Sequence, residues 1–262
     1  MPELCCRTLR YWADNTTSHK CLIVASHRRS GTHFTIDWLR ANVVGTSCYY
    51  VTSQGDAELA MPIIARLTPK PKILLIKTHQ CLEDVETVLK KNRDVIGDVD
   101  LHAMPILTVR RDPVATLLSL YCYERTFVPT TRHLSFSQFV QTRDIFYGGR
   151  WGDRIDTLFG FYAAWKIASE NRNVLVFDFA NPVPGSAELL RLASNWGLTL
   201  RPKIRVPTKA GRLARALGAR LGRRGVSTAI LPMATQPATA EEVSIVKALI
   251  ASKIHQENFR SV

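Results

Sequence analysis

Lys20-Cys-Leu-Ile-Val-Ala-Ser26 runs directly into His27-Arg-Arg-Ser-Gly-Thr-His33, and Phe34-Thr-Ile-Asp-Trp-Leu39 follows at once. The order of these three strings decides the fold. The first is an apolar run of strand length; the second is polar, basic and interrupted by one glycine; in the third, Phe34, Ile36, Trp38 and Leu39 take positions that suit a helix. The unit is therefore strand, loop, helix. Three further short apolar runs follow: Lys72-Ile-Leu-Leu-Ile-Lys77, Pro105-Ile-Leu-Thr-Val-Arg110 and Asn173-Val-Leu-Val-Phe177. Helices are expected at about 83–91, 113–124, 154–170 and 186–196, the second opening on Pro113 at a favourable first-turn position, and an amphipathic helix closes the chain at 240–254. Strands that alternate with helices predict an α/β fold: a central, mainly parallel sheet with helices on both faces. Ligands of such sheets bind at the C-terminal ends of the strands, where the polar clusters of this chain sit.

At 262 residues, 46% of them hydrophobic, the chain can bury a large core, and no composition break divides it. One domain is expected over 1–262, its core at about 20–200, followed by a basic segment at 201–224 and the C-terminal helix. The apolar runs are too short for a membrane span, and the first twenty residues have no continuous apolar stretch. Six cysteines follow no CxxC or Cys/His ligand spacing, so they are read as reduced thiols and the protein as cytoplasmic. The formal charge of +13 predicts anionic partners. Much of it is local: 201–224 holds nine Lys or Arg and no acid. Within it, Arg212, Leu213, Arg215, Leu217, Arg220 and Leu221 have a spacing compatible with a cationic amphipathic helix, suited to an acidic acceptor or a membrane surface. No specific nucleic-acid partner is expected, and the oligomeric state is not legible.

The loop after the first strand has the makings of an anion site, because backbone N–H groups and the positive end of the next helix converge there. Gly31 permits close backbone approach, Ser30, Thr32 and His33 bring donors, and Arg29 brings a full charge. The loop is P-loop-like but is not a Walker A sequence: it has no first glycine and no lysine after Gly31. A second anion site is expected at Arg111-Asp-Pro-Val-Ala-Thr-Leu-Leu-Ser119, where an arginine at a strand end and a serine two turns into the next helix can grip one phosphate.

Together these strings resemble the PAPS-dependent sulfotransferase family, whose members transfer a sulfuryl group from 3′-phosphoadenosine 5′-phosphosulfate (PAPS). Ser26 to Phe34 resembles the family's 5′-phosphosulfate loop, TYPKSGTTW, with Arg29 in the place of the lysine and Phe34 in that of the tryptophan. Arg111 and Ser119 keep the eight-residue separation of the family's 3′-phosphate motif. Lys77-Thr78-His79 matches the KTH tripeptide that carries the catalytic base in the cytosolic branch. Phe177-Asp178 resembles the segment whose aromatic residue meets adenine, and Arg223-Arg224-Gly225 the late RKG motif, although the Gly-Asp-Trp that usually follows is missing.

The resemblance implies that PAPS is held by Arg28, Arg29, Ser30, Gly31, Thr32, His33, Phe34, Arg111, Ser119, Phe177, Arg223, Arg224 and Gly225. It also implies that Arg29, Lys77 and His79 act in the transfer, with His79 as the general base. PAP (3′-phosphoadenosine 5′-phosphate) is then the product, the acceptor is a hydroxyl or amine of a small molecule or glycan, and no metal is expected. Two other classes stay open on the residues alone. One is a small-molecule kinase with a related phosphate loop, which would need a magnesium-binding carboxylate. The other is a non-catalytic polyanion-binding protein using the basic segment.

Overall fold

The structure, a computed structural model, describes residues 20–46, 51–52, 73–85, 105–170, 174–178, 186–205 and 238–260. Strand β1 (Lys20–Ser26) is the middle of a five-stranded sheet that also contains β2 (Val51–Thr52), β3 (Ile73–Thr78), β4 (Ile106–Arg110) and β5 (Val174–Asp178). The order is β2-β3-β1-β4-β5 and every neighbouring pair is parallel. Ala25 pairs with Thr78 on one side and Ser26 with Val109 on the other, so the C-terminal ends of β1, β3 and β4 finish level with one another.

Alternation along the strands feeds two cores. Leu22 and Val24 of β1, with Leu75, Leu107 and Val109, face helices α1 (Thr32–Asn42) and α5 (Ser186–Trp196), where Trp38 and Leu39 are completely buried. Ile23 and Ala25 face the opposite way with Ile106, against α2 (Pro113–Phe127), α3 (Phe136–Gln141), α4 (Arg154–Glu170) and α6 (Ala240–Arg260). The result is the expected α/β sandwich with helices on both faces, since a parallel sheet presents two apolar faces that both need cover. Helix α1 leaves β1 toward one face and α2 leaves β4 toward the other, which opens a crevice above the adjoining strand ends.

The four expected strands are present within a residue or so, and β2 is an edge strand too short to carry a sequence signal. Helix α2 runs three residues beyond the expected end, to Phe127, and α6 runs on to Arg260. Of the helix expected at 83–91, a helical turn at 82–85 is seen and the remainder lies outside the described residues. Asp112 caps α2, its carboxylate accepting from the Ala115 N–H at 2.7 Å while Pro113 occupies the first turn. Ser135 and Gln138 close α3 with a reciprocal capping box that the sequence reading did not single out. Residues 201–205, the only described part of the basic segment, are exposed and held at the end of α1, where Asn42 donates to the Arg205 carbonyl and accepts from the Arg205 N–H. No helix among the described residues is long and apolar enough to cross a membrane.

Candidate functional site

The loop from β1 to α1 turns tightly: the Ser30 N–H bonds to the His27 carbonyl at 3.2 Å, and Arg29 (φ 68°) and Gly31 (φ 101°) both adopt the left-handed region. Gly31 tolerates that conformation because it has no Cβ, whereas Arg29 is held there against its preference. Gly31 occupies the N-cap position of α1 without any side-chain cap, so the first turn of the helix presents its amides to the crevice. Ser26 and Thr32 close the base of the loop with a short hydroxyl–hydroxyl hydrogen bond.

The two segments expected to hold anions meet. Arg29 Nε donates to Ser119 Oγ at 3.2 Å, and Arg111 Nη1 donates to the Arg29 carbonyl at 3.2 Å. Residues far apart in the chain thus form one cationic wall, with the Arg29 guanidinium 5.1 Å from the Tyr123 ring centre. Burial lowers the pKa of Arg29, Tyr123 opposes the shift and the positive charge of Arg111 adds to it. An arginine remains protonated under these conditions, so the wall keeps its positive charge although it is half-buried.

Tyr162 of α4 ties the same wall together from behind: its hydroxyl lies 3.1 Å from Ser30 Oγ and accepts from the Arg111 N–H at 3.4 Å. Burial raises its pKa, so it stays a neutral phenol. Nothing in the sequence around Tyr162 marks it for this task, because both its partners are distant. Ser30, read as a donor to the anion, has its side chain completely buried against Tyr162 and its backbone N–H bonded to the His27 carbonyl, so both its donors are used in shaping the loop.

At the end of β3, Lys77 and His79 stand beside this loop. His79 Nδ1 lies 2.7 Å from the Ser26 carbonyl; a carbonyl only accepts, so Nδ1 carries the proton and Nε2 keeps its lone pair. Burial, then the charge of Lys77, hold the imidazole well below its usual pKa, with lesser contributions from His33 and His27, while the Ser26 bond pulls the other way. His79 is therefore neutral at physiological pH.

Other expected site residues sit differently. The Arg28 side chain turns away from the loop and into a buried ion cluster: Nη2 reaches both carboxylate oxygens of Asp144 at 3.0 Å, and Nη1 reaches Glu124 at 3.1 Å. Glu124 also receives Arg154 Nη2 at 2.6 Å. Phe34 is packed in the core beside Trp38 and Leu75, where apolar burial accounts for it. Phe177 lies on β5, paired with Val109 of β4, near the crevice at the level of the backbone. Arg223, Arg224 and Gly225 lie outside the described residues. Among the described residues no three His, Cys, Asp or Glu side chains are grouped to hold a metal ion.

No family model matches this chain, and no curated protein matches it in sequence. Solved structures do match in fold. The mouse sulfotransferase SULT7A1, determined as a complex with PAP, superposes with a TM-score of 0.51 at 14% sequence identity, covering 90% of this chain and 82% of that one. The two proteins share a fold.

Proposed function

We propose that this protein is a PAPS-dependent sulfotransferase. The observation that carries the reading is the junction between the loop after β1 and the Arg111/Ser119 motif, made by the Arg29–Ser119 and Arg111–Arg29 hydrogen bonds. Two anion-binding motifs joined at one crevice suit a nucleotide bearing phosphates at both its 5′ and 3′ positions. The shared fold with a sulfotransferase described in complex with PAP supports the same reading.

In this reading the α1 amides and Arg29 hold the phosphosulfate end, and Arg111 with Ser119 holds the 3′-phosphate. The acceptor oxygen bonds to sulfur as the bond from sulfur to the bridging oxygen of PAPS breaks. The electron pair leaves with the 5′-phosphate of PAP, and the acceptor proton passes to Nε2 of His79. Transfer of this kind spreads negative charge over the leaving phosphate and peripheral oxygens, so fixed positive groups such as Arg29 and Lys77 do much of the work. An anionic cosubstrate beside His79 would also raise its depressed pKa toward the range in which a base is effective.

The test compares thermal stabilisation by PAP and by AMP, which differ by the 3′-phosphate. PAP raises Tm clearly more than AMP in the wild type, by mass action on the folded state. Arg111→Ala weakens PAP binding by about 1.5–3 kcal/mol, the range for hydrogen bonds to charged groups, and scarcely alters AMP. Equal shifts for the two nucleotides would overturn the assignment.

A further inference from the structure

Beside the Lys77–His79 strand end lies a cleft of about 220 Å³ lined by Gln80, Asp84, Phe146, Tyr147, Arg150 and Trp151. Gln80 directly follows His79; the last four residues belong to the segment between α3 and α4. Its size suits one small ring better than a drug-sized ligand, which fills about 300–1,000 Å³.

The aromatic wall is built from three neighbouring rings. Phe146 meets Tyr147 edge to face and Tyr147 meets Trp151 at a tilt, with ring centres 4.9 and 5.5 Å apart. The Trp151 indole lies so close to the bare Gly160 backbone of α4 that a Cβ there would come within 2.5 Å of the ring. The polar side of the cleft is as specific. Arg150 pairs with Asp84 at 2.9 Å and with Glu83 at 3.4 Å, so its charge is already met by carboxylates and this edge offers hydrogen bonds without an uncompensated cation for an anionic ligand. Gln80 adds an amide to this edge. A phenol stacked here could satisfy one of these groups. A ring with several hydroxyls, apolar on its face and polar around its edge, satisfies the aromatic wall and the polar edge together.

The segment is also clamped to the loop after β1. Asp144, almost fully buried, accepts from the Phe146 N–H at 2.9 Å and from Arg28 Nη2 at 3.0 Å. Arg28 thereby sets the distance between the anion loop and the aromatic wall.

We propose that this cleft is the acceptor subsite for one neutral pyranose ring of a sugar or glycan, with Trp151 as its platform, and that Arg28 is a positioning residue for it through Asp144. The proposal rests on the sulfotransferase reading above for what happens to the sugar, but not for its binding. The test titrates methyl β-D-glucopyranoside, methyl β-D-galactopyranoside, glucuronate and 4-nitrophenol into the full chain, with and without saturating PAP, following the ¹⁵N–¹H signal of the Trp151 indole. At least one neutral pyranoside shifts that signal with Kd on the order of millimolar, and glucuronate and 4-nitrophenol bind more weakly. Asp144→Asn weakens the pyranoside by about tenfold and leaves PAP affinity within about twofold. Gly160→Ala leaves the Arg28 pair intact, pushes the indole from its seat and gives the same selective loss. The assignment is overturned if no neutral pyranoside moves Trp151, if 4-nitrophenol outcompetes them, or if both variants leave pyranoside binding unaltered. Pyranoside binding in a chain that ignores PAP would instead retire the sulfotransferase reading and leave the cleft standing.

Discussion

His79 has one ring nitrogen committed to the Ser26 carbonyl and the other left as a lone pair, a division of labour that suits a base fixed in orientation. Burial and Lys77 hold its pKa well below the usual histidine range, so in the ligand-free protein the lone pair is available throughout the neutral range and is lost only in acid. The kcat/KM profile of the wild type should accordingly stay level as pH falls to about 6.5 and decline only below it. A decline setting in at pH 7 or above would point to a different base. His79→Ala should lose about 10²-fold or more in kcat, within the span of general-base contributions, while calorimetry finds PAP bound as in wild type. Turnover within a few-fold of wild type would remove His79 from the proton transfer. The motif Lys77-Thr78-His79 was legible in the sequence, but the choice of nitrogen was not, because it depends on a carbonyl 53 residues away.

Helix α2 works at both ends. Its N-terminus, capped by Asp112, places Ser119 opposite Arg29, and its last turns carry Glu124 into the buried cluster with Arg28 and Arg154. Arg28 has a second carboxylate in Asp144, whereas the remaining partners of Arg154 are the Thr142 hydroxyl and carbonyl oxygens at 139, 142 and 143. Removing Glu124 would leave a buried guanidinium without its counter-charge. Glu124→Ala should therefore destabilise the fold by about 3 kcal/mol, seen as a lower urea midpoint at an unchanged m-value. A loss below about 1 kcal/mol would mean that carbonyls and water satisfy Arg154 unaided. From sequence, α2 could be placed by Pro113 and its apolar content, and Ser119 by its spacing from Arg111. Glu124 carried no such signal: a single acid near the end of a helix is ordinarily solvated, and only the approach of α4 buries it.

Across the whole molecule, acid should act through His27 as well as through His79. His27 is completely buried, stacked on Tyr147 at 5.6 Å and edge-on to Phe161 at 5.8 Å, and its pKa is pushed down to about 3, chiefly by burial and then by Arg28. The unfolded chain takes up a proton at this residue near pH 6.5 while the folded chain does not until about 3. Stability from neutral His27 is thus fully present above about pH 6.5 and falls below it by up to about 1.4 kcal/mol per pH unit until the folded value is reached. Urea titrations between pH 7 and 4 should show this slope in the wild type and a shallower one in His27→Phe; equal slopes would assign the acid sensitivity elsewhere. The sequence by itself determined the alternation of strands and helices, the parallel sheet, the loop at 26–33 and the order of the anion motifs, because hydrophobic period, strand length and a glycine at a turn are local properties. Only the tertiary structure decided which side chains serve that loop. Arg29 meets Ser119 across 90 residues, Arg28 turns to Asp144 across 116, and Ser30 is held by Tyr162 across 132. A guanidinium next to a phosphate loop can reach an anion or a carboxylate with equal ease, and which it takes depends on what the packing of two cores against one sheet brings within its reach.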